Sequence, residues 1–221
     1  MIHNLRSTHL VRVAIALLVG TVTWVVLAPL AMAKPNPSRE SRLEFSEAMR
    51  KLWEDHIMWT RLYIISAAAN LSDKDATTQR LLQNQADIGN AVAVFYGAEA
   101  GAKLTALLRE HILGAAALIE AAKSGDKAKT DTAAGLWYKN ADEIATFLSS
   151  ANPSRWPLAD MKAGMKMHLD LTLAEATDRL HGQYAADVQD YDKIHAHILG
   201  LADLLSNGII QQFPDRFQTG K

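Results

Sequence analysis

The sequence contains no cysteine, so it has no disulfide, no thiolate metal ligand and no cysteine nucleophile. Its stability must come from packing. It also lacks an excess of either charge: 23 Lys and Arg stand against 24 Asp and Glu, a formal net charge of -1. No basic stripe with interleaved aromatics runs along it, so nothing calls for a nucleic-acid partner. No segment sustains the period-two alternation of β-branched residues that marks a strand. The phosphate-binding glycine loop, the Gly-x-Ser-x-Gly elbow, the His-Glu-x-x-His zinc pattern and the Glu-x-x-His di-iron pattern are all missing. The sequence therefore gives no positive sign of an enzyme.

What is present is a chain of 221 residues, 49% hydrophobic and 21% charged, which suits one domain with a real core. Arg6 and Arg12 precede an apolar run from Val13 to Leu30 that closes in Ala31-Met32-Ala33. A basic start, an apolar stretch and a small-x-small end are the parts of a secretory signal. Residues 1–33 are expected to be either a signal peptide cut after Ala33 or an uncleaved membrane anchor, since the run approaches the ~20 residues a spanning helix needs. Either outcome carries the folded part out of the cytoplasm, and only the uncleaved form contacts a membrane.

After a polar, proline-bearing tether (34–42), the pattern predicts an all-α bundle over 43–217 and a short tail (218–221). Helices are expected over about 43–69, 75–94, 98–123, 127–149, 158–180 and 184–210, separated by Asn, Gly and Pro punctuation. Ser72 or Asp73 should cap the second, and Gly125 should end the third in a left-handed turn. Short links between long helices favour antiparallel neighbours. The expected architecture is an up-and-down bundle of four long helices with one or two shorter ones alongside.

Polar residues interrupt the apolar stripes. They read Leu52, His56, Trp59, Tyr63, Ser66 in the first helix and Leu104, Leu107, His111, Leu118 in the third. The fourth reads Leu136, Asn140, Ile144, Phe147 with Glu143 one step away, and the fifth Met161, Met165, His168, Thr172, Glu175. At about 100° per residue, His56, His111 and His168 face the core from three helices. Each lies near the middle of its helix, where antiparallel helices reach a common depth. They define a candidate site for a small ligand or a metal ion, with Glu143 or Glu175 completing it, the metals that suit being zinc, copper, iron or manganese. A competing reading is a core network in which each buried histidine finds a Glu, Asn or Thr partner and binds nothing. A metal-dependent enzyme is a further alternative. Arg61 is expected to pair with Glu143 or Glu175, whereas Met161, Met165 and Met167 read as core filler. His195 and His197 fall on two faces of one helix and cannot chelate together. Asp142-Glu143 and Asp190 with Asp192 read as solvated or capping residues, and Asp178, Asp187 and Asp190 match no calcium loop.

The stretches Leu52-Trp53-Glu54-Asp55-His56 with Trp59-Thr60-Arg61, Asn84-Gln85-Ala86-Asp87-Ile88-Gly89-Asn90, Asn140-Ala141-Asp142-Glu143-Ile144-Ala145 and Gln212-Phe213-Pro214 carry a resemblance. Over about 45–217 the chain resembles a family of small exported bacterial helical proteins of unestablished function. Some members bear the labels acetylglutamate kinase or glycosyltransferase. Both imply α/β nucleotide-binding folds, for which this sequence has no pattern. The resemblance implies a location in the bacterial envelope and carries over no site residues.

Overall fold

The computed structural model describes residues 37–217; the expected signal segment (1–33) and tail (218–221) lie outside the described residues. Six helices follow one another: α1 (Pro37–Ala69), α2 (Lys74–Tyr96), α3 (Ala98–Ser124), α4 (Lys127–Ala151), α5 (Leu158–Leu180) and α6 (Tyr184–Gln212). A 3-10 turn (Pro214–Phe217) follows, and no strand occurs among the described residues. The all-helical bundle expected from the sequence is what forms, with α2 and α5 the shortest helices at 23 residues each. No described helix is long and apolar enough to cross a membrane.

Each helix packs on the next, and α6 returns to pack on α1, so the six close into a ring. Cross-helix pairs fix the register. Arg50 of α1 donates to both carboxylate oxygens of Asp203 of α6 at 2.6 Å, while Arg61 reaches Asp187 near the other end of α6. Lys74 at the start of α2 meets Glu120 near the end of α3. Tyr138 of α4 donates to Asp170 of α5, and Lys162 to Asp142. Between α1 and α6 and between α4 and α5, a later residue of one helix pairs with an earlier residue of the other, and the start of α2 meets the end of α3, which is antiparallel packing.

The links explain why the helices stop where they do. Gly97 alone joins α2 to α3 with φ 89°, and Gly125 ends α3 at φ 72°, the left-handed cap expected there. The Asp126 side chain accepts from the Lys129 amide and starts α4. The expected cap at Asp73 differs: its side chain makes no cap bond, and its carbonyl instead accepts from the Thr77 amide and hydroxyl. The first helix begins at Pro37, inside the stretch expected to be tether. Proline suits the first turn, because its missing N–H would have had no intrahelical partner there.

Gly89 of α2 and Gly101 of α3 let two backbones approach closely. A Cβ on Gly101 would stand 2.6 Å from the Gly89 carbonyl oxygen, and one on Gly89 would stand 2.7 Å from the Gly101 carbonyl oxygen. Inside the ring, Trp53, Ile57, Leu104, Leu108, Ile144, Leu148, Leu169 and Ile198 form one continuous apolar core.

Candidate functional site

The three imidazoles expected to face inward do so and meet. His56, His111 and His168 expose only 2%, 3% and 5% of their surface. Ring centroids lie 5.7 Å apart for His56 and His168 and 5.9 Å apart for His111 and His168. A fourth ring joins them from α6: His197, half-buried, stacks on His168 at 6.3 Å and lies 3.1 Å from the Gly164 carbonyl oxygen through Nε2. The expectation that His195 and His197 face different ways holds, since His195 turns outward to Glu54 at 2.9 Å. Treating the two as a failed pair hid His197. Its place between Ile194 and Leu201 at three- and four-residue steps is the signal that finds it.

Hydrogen bonding divides the layer in two. His111 is satisfied: its Nδ1 lies 3.0 Å from Asn140 Oδ1, and the Asn140 amide donates to the Leu107 carbonyl at 3.1 Å. Stacking of His111 against Trp137 at 5.3 Å fixes the ring further. By contrast His168 Nδ1 and Trp53 Nε1 are buried with no protein partner, while His56 has only the Gln85 side chain nearby, too loosely placed for a regular hydrogen bond. Buried polar nitrogens of this kind are rare and costly, about 1–3 kcal/mol each. All three residues border one small, mostly enclosed cavity whose accessible wall is apolar, with His111, Met161 and Met165 among the other walls. Its volume of about 20 Å3 exceeds the ~10–15 Å3 needed for one water-sized species and leaves no room for an organic substrate.

Burial holds every ring of the layer neutral. The His56 pKa is pushed down to about 3, chiefly by desolvation and then by His111, with Gln85 acting weakly the other way. Desolvation takes His111 down to about 4 against the opposing Asn140 bond. His168 falls well below its ordinary value through desolvation and the three neighbouring imidazoles, and His197 is lowered by burial. A neutral imidazole keeps one lone pair free, which is the form a metal ion or a donor group needs.

The carboxylates do not join the layer. Glu143 lies on the solvent face of α4, 3.6 Å from Lys139, because Trp137, Ala141, Ile144 and Leu148 set the buried face one position away from the expected stripe. Leu136 is exposed for the same reason. Glu175 is buried, two turns beyond His168, and accepts from Arg61 at 2.8 Å. Arg61 also donates to both oxygens of Asp187 at 2.8 and 3.2 Å, with Arg179 adding a contact at 3.4 Å. Asp190, expected to be solvated, is buried beside this network and pairs with Lys193. Desolvation, reinforced by Asp187 and Asp190 and opposed by Arg61, raises Glu175 to about 7. Among the described residues no group of three or more His, Asp or Glu is arranged to hold a metal ion. The site is an imidazole layer without carboxylates. Comparison with known proteins finds no match, neither to a family model nor to a curated protein nor to a solved structure.

Proposed function

We propose that this chain is an exported helical bundle of the bacterial envelope that holds one small species, a metal ion foremost, in the cavity bounded by His56, His111 and His168. The observation that carries the reading is that His168 and Trp53, whose buried Nδ1 and Nε1 lack a protein partner, border a small, mostly enclosed space of about 20 Å3 together with His56 and His111. A single bound ion or water supplies the partners the protein does not. Two imidazoles sharing an ion at ~2.0–2.1 Å hold their centroids roughly 5–6.5 Å apart, a range that contains the 5.7 and 5.9 Å spacings. Glu143 and Glu175 take no part. The cavity is too small for a substrate, which weighs against the metal-dependent enzyme.

A second reading has its own observation. The His111–Asn140–Leu107 chain is hydrogen-bonded within the protein with no ligand, as a purely structural or protein-interaction bundle requires. Elemental analysis of the chain purified from its native compartment separates the two. The ligand reading expects about one metal per chain and a thermal midpoint raised by added zinc or copper through mass action. No stoichiometric metal and an unmoved midpoint favour the structural bundle. Export rests on the Arg6-to-Ala33 pattern and is tested by N-terminal sequencing of the native protein, which should begin at Lys34 if the signal is cut.

A further inference from the structure

The outward face of α3 and α4 carries a pattern that the core does not use. At steps of three and four, α3 exposes Glu110, Leu113, Ala117 and Glu120, and α4 exposes Lys129, Thr132, Leu136 and Lys139. The bond between His111 and Asn140 and the close approach of Gly114 to Trp137 fix the register of this antiparallel pair. Glu110 then lies level with Lys139, Leu113 with Leu136, Ala117 with Thr132 and Glu120 with Lys129. Each level holds opposite charges, two leucines or two small side chains. Leu113 and Leu136 are 51% and 63% exposed, beside a shallow groove of about 690 Å3 walled by Ala117, Ala121 and Ala133. The charges are lightly engaged within the chain. Glu110 makes no ion pair among the described residues. Lys139 reaches Glu143 at 3.6 Å, Lys129 reaches Asp126 at 3.0 Å, and Glu120 reaches Lys74 at 3.1 Å, exposed pairs of a kind that contribute little.

Such a face is complementary to itself. A two-fold axis parallel to the helices lays it on the same face of another chain, with α3 of each copy against α4 of the other. Every level then meets its match: Glu110 faces Lys139 of the second copy, Leu113 faces Leu136, and Glu120 faces Lys129. The symmetry forms each pair twice and closes the assembly at two chains. The leucines supply an apolar centre, the alanines let the helices approach, and the charges form a rim, which is the anatomy of a specific interface. A two-fold across the helices would instead set α3 on α3 and lose the level-by-level match. From this complementarity we infer that the outward face of α3 and α4 is the contact surface for a second copy of this chain, in a dimer whose axis runs along the helices. The inference goes beyond the function proposed above and does not depend on what the histidine cavity holds.

Sedimentation equilibrium over a range of concentrations, on the chain purified from its native compartment, reads the mass, and a dimer is expected. Leu113→Lys with Leu136→Lys alters only exposed side chains and keeps good helix formers, so the bundle should stay folded while the dimer Kd rises roughly tenfold or more. Glu110→Lys and Lys139→Glu each bring like charges together at two symmetric places and should weaken association by roughly tenfold. Combined in one chain, they exchange the charges and should restore most of the affinity. The exchange leaves the apolar centre untouched, so it tests the face even if the lysine pair disturbs folding. A monomer at every concentration overturns the inference, whether or not the face takes another protein. A dimer that the two lysines leave intact overturns it too, because it forms elsewhere. Single charge variants that associate as the native chain does, or a charge exchange that restores nothing, overturn the pairing of α3 with α4.

Discussion

Asn140 holds His111 in place by bonding its ring on one side and the Leu107 carbonyl on the other. Asn140→Leu keeps the volume and leaves the buried His111 ring nitrogen without its partner, so urea unfolding should register a loss of about 1–3 kcal/mol. Arg61 plays the corresponding part for charge. Arg61→Met leaves Glu175 and Asp187 buried with their main cation gone, a loss of about 3–5 kcal/mol in alkaline solution, where Glu175 is ionised. The deficit should shrink as pH falls towards about 7, where Glu175 escapes the penalty by taking a proton; a deficit independent of pH contradicts this account. Much at this scale was legible in sequence. Spacing alone placed His56, His111, His168 and Glu175 inside, because a helix turns by a fixed angle per residue. Glu143 was misplaced because one step along a helix swings a side chain by about 100°, and Leu136 set the wrong phase where Trp137 sets the right one. The partnering of Asp187 and Asp190 could not be read, since it depends on contacts between α1, α5 and α6.

Helix limits follow from local chemistry and were readable to within a few residues from α2 through α6, since Gly97, Gly125, Pro153, Pro157 and Gly182 interrupt the chain where the helices end. Which helices touch is less local. The closure of α6 on α1 depends on pairs such as Arg50 with Asp203, separated by 153 residues, and no periodicity announces them. The contact between α2 and α3 is the most demanding in the ring, because Gly89 and Gly101 sit against one another's backbone. Gly101→Ala places a methyl group 2.6 Å from the Gly89 carbonyl oxygen, which backbone cannot yield without moving a helix. A thermal unfolding series should find a loss of about 1–3 kcal/mol, against a gain of about 0.5–1 kcal/mol for the same change at exposed mid-helix Gly135, where nothing lies within 4 Å. Equal effects at the two glycines would contradict the close approach.

Across the whole molecule, four depressed histidines and one raised glutamate govern the response to pH. The unfolded chain takes protons on its imidazoles as pH falls below about 6.5, while the folded core refuses them until far lower, to about 4 for His111 and about 3 for His56. Stability from these groups is complete above about 6.5 and is lost on acidification, by about 1.4 kcal/mol per pH unit for each imidazole within its window. Glu175 acts oppositely: between about 4.5 and 7 the folded state holds the extra proton, so its contribution declines as pH rises. The imidazoles outnumber it, and the bundle should weaken steadily below about pH 6.5, as a denaturant midpoint series will record. An ion bound to neutral rings adds to this slope, because protons and metal compete for one lone pair. Nitrogen-15 spectra of the histidine rings in the full chain test the layer most directly. The account predicts that His56, His111 and His168 stay neutral down to about pH 5 and that one equivalent of added metal shifts the ring nitrogens of His56 and His168. Rings that titrate near 6.5, or nitrogens unmoved by any metal, would contradict it.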